Sequence, residues 1–340
     1  MISKNPLVLK IAESTPGDEL LKYLLSRQLA FTEEEYLESL VFVLPDPRSR
    51  DQALQMLGLI PQPVKELYVQ KREAELRVID FVLQEALEAG YFNTLTLIIQ
   101  NQGIPAEFIM RLAARAKAAV LETLLENQIR LIAYPEIMEK MEGNPNCNPF
   151  IRGRIRELRE FYLQPKAAEA IPEAEVMDDL ALVIAEEHKQ EPQLDEGKVK
   201  QEALTALQRI NTMGISDRVR LALTGTKTER LVLIKDANKL VQTAVLDSPK
   251  MASDEVLIHA RNLSLPGEIV AKIANNREWT KNYTVLLALV ENPKTPVRNA
   301  LAFVKQLHAR DLKLLSRDRN ISPVIRSLAQ NLEKQKEKVK

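Results

Sequence analysis

Two stretches of this chain, Asn101 to Gln128 and Asn262 to Pro293, are degenerate copies of one another, and that duplication limits the folds open to it. Asn101, Ile104, Pro105, Glu107, Phe108, Ile109, Arg111, Leu112 and Ala113 fall opposite Asn262, Leu265, Pro266, Glu268, Ile269, Val270, Lys272, Ile273 and Ala274, at an offset of 161. Val120, Leu121, Leu124, Leu125, Glu126 and Asn127 fall opposite Val285, Leu286, Leu289, Val290, Glu291 and Asn292, at an offset of 165. Asn146, Pro149, Ile151, Arg152 and Leu158 then match Asn320, Pro323, Ile325, Arg326 and Leu332 at an offset of 174. The order is kept while the spacers lengthen. Of 35 aligned positions 14 are identical, where background composition gives roughly two.

Both copies obey one physical grammar. An Asn followed by a Pro is expected to start a helix, because the amide caps free N–H groups and Pro fits the first turn. Apolar residues at spacings of three and four, such as Ile269, Val270, Ile273 and Ala274, form one buried stripe. Glu291-Asn292-Pro293 ends the helix, since Pro disfavours helical backbone in the residue before it. Short helices cannot bury such stripes alone and must stack. A finer repeat, Ala244 to Lys250 against Ala288 to Lys294, recurs after 44 residues, close to the period of paired-helix solenoids. The expected fold is all-α: an α-solenoid of short paired helices, internally duplicated into two halves.

The residues Asn292-Pro293-Lys294-Thr295-Pro296, Asp311-Leu312, Asp318-Arg319-Asn320 and Arg326 to Ala329 resemble HEAT-like and leucine-rich-variant helical repeats of bacteria. Ser216 to Leu332 as a whole resembles a domain of uncharacterised bacterial proteins. The resemblance implies an α-solenoid with a binding role and carries no catalytic residues across. Some leucine-rich-variant proteins hold an iron-sulfur cluster on several cysteines; this chain departs from them with one, Cys147.

A formal net charge of zero hides an asymmetry. Residues 1–163 carry 19 Lys and Arg against 23 Asp and Glu, residues 164–197 carry 2 against 10, and residues 198–340 carry 26 against 14. These boundaries divide the chain into an N-terminal helical-repeat domain (1–163), an acidic linker with a short helix (164–197), a basic C-terminal repeat domain (198–333) and a charged tail (334–340). Pro165, Pro172 and Pro192 punctuate the linker, which is rich in Ala and Glu and reads as mobile. Within it Leu180, Val183 and Ile184 stand at helical spacing after Asp178-Asp179, which reads either as a helix fragment packed on its own domain or an accident of the linker, or as a segment that docks on a groove, its own or a partner's. An acidic linker beside a basic half also suggests self-docking, in which the linker shields the basic face.

Further elements are legible in order. A helix is expected around Leu7 to Ala12, then another over Glu19 to Gln28. Thr32 and Glu35 form a capping box that starts a helix at Glu33 and carries it to about Val43. Pro45-Asp46-Pro47 and Pro61-Gln62-Pro63 are stops on either side of Ser49 to Leu57. Val64 to Ala89 reads as one long helix or a broken pair ending at Gly90, and Lys198 to Ile210 as a helix.

Motifs for catalysis are missing. No Gly-rich phosphate loop, paired cysteines, HExxH or GxSxG occurs. His188, His259 and His308 lack metal-ligand spacing and are expected to be structural or exposed. Carboxylate pairs such as Asp178-Asp179 and Glu186-Glu187 read as wet helix faces. The expectation is a non-enzyme without cofactor or metal. No run of 18 apolar residues spans a membrane, the N-terminus lacks a secretory layout, and a lone cysteine fits a reducing, cytoplasmic setting.

Two candidate binding surfaces remain. Arg152, Arg156 and Arg159 share a helix face with Arg154 beside them, and Arg310, Lys313, Arg317 and Arg319 cluster in the second half; both could contact phosphates or be solvated faces paired with Glu157, Glu160, Asp311 and Asp318. Trp279 and Tyr283, four residues apart and flanked by cations, make an aromatic pair that serves either as a hot spot or as a core seal. The leading reading is a non-enzymatic scaffold or adaptor that presents a preorganised solenoid surface to a protein partner, with cations steering an acidic ligand. The alternative is nucleic-acid binding by the basic half, as in HEAT-repeat DNA repair glycosylases at the level of fold.

Overall fold

The computed structural model describes residues 3–14, 16–163, 169–177, 180, 184, 196–318 and 321–338. The described residues are helical, with no strand among them, and the chain divides into two compact units, Met1–Gln164 and Pro165–Lys340.

The first unit begins with α1 (Pro6–Glu13), α2 (Asp18–Leu25) and α3 (Glu33–Val43). Asn5 caps α1 with Pro6 at its first position, and the Thr32–Glu35 capping box closes both ways at the start of α3. Every residue of α3 from Tyr36 to Val43 is buried, because α1, α2, α4 (Arg50–Gly58), α5 (Gln62–Val69) and α6 (Leu76–Ala89) all pack on it. The stretch read as one long helix or a broken pair is the pair, α5 and α6, and it opens two residues early, at Gln62. Gly90 ends α6 in the left-handed conformation, φ 76°, which glycine adopts without steric cost.

Then follow α7 (Phe92–Gln100), α8 (Ala106–Arg115), α9 (Ala118–Glu126), α10 (Gln128–Ala133), α11 (Glu136–Glu142) and α12 (Pro149–Leu158), the last running into a π-helical turn at Arg159–Leu163. Helices two or three places apart pack on one another: α5 on α7, α7 on α9, α6 on α8, α8 on α11 and α9 on α12. The apolar stripes face inward as their spacing demands, with Ile109, Leu112 and Ala113 of α8 and Val120, Leu121 and Leu124 of α9 all below 5% exposed.

The second unit contains α13 (Glu196–Asn211), α14 (Ile215–Thr224), α15 (Lys227–Leu233), α16 (Lys239–Asp247), α17 (Ser253–Arg261), α18 (Gly267–Asn275), α19 (Arg277–Thr280), α20 (Tyr283–Glu291), α21 (Val297–Val304), α22 (Ala309–Leu315) and α23 (Pro323–Lys338). Again α13 packs on α15, α14 on α16, α16 on α18, and α17 on α20.

Side-chain amides tie these layers together. Asn101 Nδ2 donates to Val69 O at 2.6 Å, Asn127 Nδ2 to Ile99 O at 2.9 Å, and Asn144 Nδ2 to Ala113 O at 2.8 Å. In the second unit Asn292 Nδ2 donates to Ala260 O at 2.8 Å and Asn299 Nδ2 to Ala274 O at 3.1 Å. Each donor sits 25 to 32 residues after its acceptor. The acceptors lie in or just beyond a helix's last turn, where carbonyls lack intrahelical donors.

This corrects the expectation that the repeated Asn residues start the helices after them. The caps of α8, α18 and α21 are Pro105, Pro266 and Pro296. Asn101, Asn262 and Asn292 stand four residues before those caps, too far to reach the first helical N–H groups. Their Oδ1 atoms instead accept from the backbone two residues on, at Gly103, Ser264 and Lys294, as Asn does in turns. The reading does hold at Asn5-Pro6 and Asn148-Pro149, where the Pro is itself the first residue of the helix.

Candidate functional site

Sequence alone singles out nine residues, of which eight are among the described residues and lie on two surfaces, one in each unit. On α12, Arg152 and Arg156 are exposed, with no carboxylate within ion-pair distance among the described residues. Arg159, in the π-helical turn, pairs with Glu142 at 2.9 Å, and the neighbouring Arg154 with Glu157 at 2.5 Å. Phe150 and Phe161 on the same stretch are 63% and 67% exposed.

In the second unit Trp279 and Tyr283 are both half-buried but do not form the expected pair. The helix breaks between them: Asn276 caps α19, and Asn282 opens α20 by accepting from Thr284 N at 3.0 Å. A spacing of four shares a face only within one continuous helix. Tyr283 stacks instead on His308, with ring centroids 4.4 Å apart. Its hydroxyl donates to Asp311 and accepts from His308 N. Burial and then the Asp311 hydrogen bond push the Tyr283 phenol above its ordinary pKa, so it stays a neutral donor.

Asp311 is thereby engaged by a phenol rather than by the cations around it. Arg310, Lys313 and Arg317 are exposed and make no ion pair among the described residues. Arg310 and Lys313 stand three apart on α22 beside Leu314, itself 62% exposed, and Arg317 lies just past the helix's end. Arg319 lies outside the described residues, as do His188, Val183, Asp178, Asp179, Glu186 and Glu187. His308 is exposed.

A third surface was visible in sequence only as a spacing. The acidic stretch read as a linker is, in its described part, anchored within the second unit. Arg218, fully buried, donates through Nη1 to Glu169 O at 2.8 Å and to Asp236 at 2.7 Å. Asn211 then holds Ile171 from both sides, accepting from its N–H at 2.8 Å and donating to its carbonyl at 3.2 Å. Beyond this anchor Val176, Leu180 and Ile184 are buried to 0%, 1% and 6% exposure, a stripe with the four-residue spacing of one helix face. Leu180 and Ile184 join a core with Ala203 of α13, Leu231 of α15 and Ile258 of α17.

A pocket of about 220 Å³ opens beside Leu180 in this groove, with Val199, Leu231 and Ile258 on its apolar side and Lys227, Glu255 and His259 among its polar residues. Glu255 is held by a buried two-point contact with Arg230, Nε to Oε2 at 2.8 Å and Nη2 to Oε1 at 2.6 Å. This geometry suits a guanidinium and a carboxylate. Lys227 pairs with Asp254 at 2.6 Å. Burial raises the Asp254 carboxyl, but the Lys227 hydrogen bond and charge outweigh it and hold the group below its ordinary pKa.

His259 is 2% exposed, and neither ring nitrogen has a hydrogen-bond partner among the described residues. Burial, reinforced by the charges of Arg230, Lys235 and Lys227, lowers its pKa to about 4. The ring is therefore neutral at pH 7, offering one donor and one acceptor. No cluster of three metal-ligating side chains occurs among the described residues, and no helix among them is long and apolar enough to cross a membrane. No spacing in the sequence marked His259; only its position after Ile258 on the inward stripe of α17 hinted at burial.

No family model, curated protein or solved structure matches this chain. The class is therefore defined by geometry alone: an all-helical, two-unit chain with a basic, partly apolar face on α22 and an occupied apolar groove between α13, α15 and α17.

Proposed function

We propose that the protein is a non-enzymatic scaffold or adaptor, an internally duplicated α-solenoid of short HEAT-like helix pairs that binds a protein partner on its surface. Packing between helices two or three places apart supports the solenoid, because each helix pair then buries its stripe against the next pair. The duplication is supported by a shared role: Asn127 ties back to Ile99 as Asn292 does to Ala260; the two Asn residues are aligned at an offset of 165, and the acceptors, two residues before the first block, keep its offset of 161.

The observation that carries the binding role is the face of α22. Two exposed cations without ion pairs, Arg310 and Lys313, share α22 with the exposed Leu314, and a third, Arg317, follows just past its end. Cations alone would serve phosphates equally well, but a leucine gains nothing from a phosphate backbone and gains burial against a protein. An acidic, amphipathic protein surface fits both features, with the cations steering its approach.

The test uses the full chain, cross-linked to and affinity-captured with its partners as wild type, as Leu314→Asp, and as the triple variant Arg310→Glu/Lys313→Glu/Arg317→Glu. A saturable protein partner lost in both variants is expected. A parallel titration with mixed-sequence double- and single-stranded DNA is expected to show binding at low salt only. Affinity for DNA that survives physiological salt, unchanged in Leu314→Asp, would assign the basic half to nucleic acid instead.

A further inference from the structure

The groove between α13, α15 and α17 already holds a ligand-like element, the chain's own acidic stretch. Three features suggest that this occupant is a placeholder. Its aliphatic residues Val176, Leu180 and Ile184 stand four apart, as anchors of an amphipathic helix laid in a groove do. Its sequence over residues 171–187 has six acidic residues and no Lys or Arg, whereas residues 198–340 have 26 Lys and Arg against 14 Asp and Glu. The fit is also incomplete: about 220 Å³ remains beside Leu180, and its wall includes His259, whose ring nitrogens have no partner among the described residues.

We propose that this groove is a helix-docking site which Leu180 and Ile184, with the buried Val176 four residues before them, hold closed. Its partner is an acidic amphipathic helix with aliphatic residues at the two outer anchors and a tyrosine in Leu180's place. A phenol ring fills space that leucine leaves, and its hydroxyl can both donate to and accept from a neutral imidazole. The partner helix displaces the stripe because it makes the same outer contacts and one more. The inference deepens the adaptor reading and rests on it for the protein's role, but it uses a surface other than α22, so either can fail alone.

The test uses full-length protein and two labelled peptides of residues 171–187, one native and one with Leu180→Tyr, followed by fluorescence anisotropy. The tyrosine peptide is expected to bind the wild-type chain at least about tenfold more tightly than the native peptide. A full-length Leu180→Asp/Ile184→Asp variant, its stripe unseated, is expected to bind the native peptide about 10–100-fold more tightly than wild type does, because the cost of opening the groove is removed. The Leu314→Asp chain is expected to bind both peptides as wild type does, which separates this site from the α22 face. Equal binding of the native peptide by wild type and by a helical unseated variant overturns the proposal. If the unseated variant loses its helical circular dichroism, the wild-type comparison decides: equal binding of the two peptides, or none, also overturns it.

Discussion

Replacing Asn292 by Ala isolates the interaction that ties one layer of helices to the next. Its Nδ2 donates to Ala260 O at 2.8 Å and more weakly to Asn262 O at 3.4 Å, while Oδ1 accepts from Lys294 N at 3.0 Å. Asn292 is 3% exposed, and no other donor reaches Ala260 O among the described residues. A buried carbonyl left without a donor costs about 1–3 kcal/mol, and a lost turn hydrogen bond about 0.5–1.5 kcal/mol. The expected loss of stability is therefore about 2–4 kcal/mol. Asn127→Ala is the matched control. Its Nδ2 donates to Ile99 O at 2.9 Å, but Arg130 Nη1 reaches the same oxygen at 3.3 Å, so that carbonyl keeps a donor. Here the expected loss is only about 1 kcal/mol. Urea denaturation at 25 °C followed by circular dichroism measures both, each variant being read on its own unit's transition if the two units melt apart. Equal losses, or an Asn292→Ala loss below about 1 kcal/mol, would refute the reasoning that stranded carbonyls set the cost.

Three further outcomes are expected. With a native pKa of about 4 for His259 against an ordinary value of 6.5, the unfolded state binds the extra proton, so stability is full above about pH 6.5 and falls by up to about 3 kcal/mol as pH drops towards 4. His259→Leu should flatten that part of the stability–pH curve, as measured by urea titrations at pH 7 and pH 5. Arg230→Met strands Glu255, which is 4% exposed, and is expected to cost about 3–5 kcal/mol; Arg230→Met/Glu255→Leu should recover most of that in the same assay. The triple replacement of Arg310, Lys313 and Arg317 by Glu should leave urea stability within about 0.5 kcal/mol of wild type, since none of the three makes an ion pair to lose.

Much of the helical order was legible because it depends on near neighbours in sequence. The Thr32–Glu35 box, the stops at Pro45-Asp46-Pro47 and Pro61-Gln62-Pro63, and Gly90 all act within a few residues, and each lies at a helix boundary in the structure. The repeated Asn residues were conspicuous, yet their main task was hidden, because their acceptors are carbonyls 28 to 32 residues away that no pattern marks. Trp279 and Tyr283 misled for a related reason: Asn282 looks like an ordinary polar residue in a helical spacing until it caps a new helix. Among the candidate surfaces, the exposure of Arg310, Lys313 and Arg317 agrees with their spacing, but the leucine between them gained meaning only once it was found outside the core. The groove needed three elements brought together from α13, α15 and α17, and sequence shows only one side of it, the Leu180 and Ile184 spacing.

The amide ties also set a timetable. Each joins residues only 25 to 32 positions apart, so each can close once that length of chain has emerged from a ribosome. At about 5–20 residues per second that is a few seconds of synthesis. Contacts this local favour rapid folding, and a growing chain could secure one layer before the next exists. The first unit would then be complete before the acidic stretch is made, and that stretch would have to wait for α17, more than 70 residues further on, before its groove had all three walls.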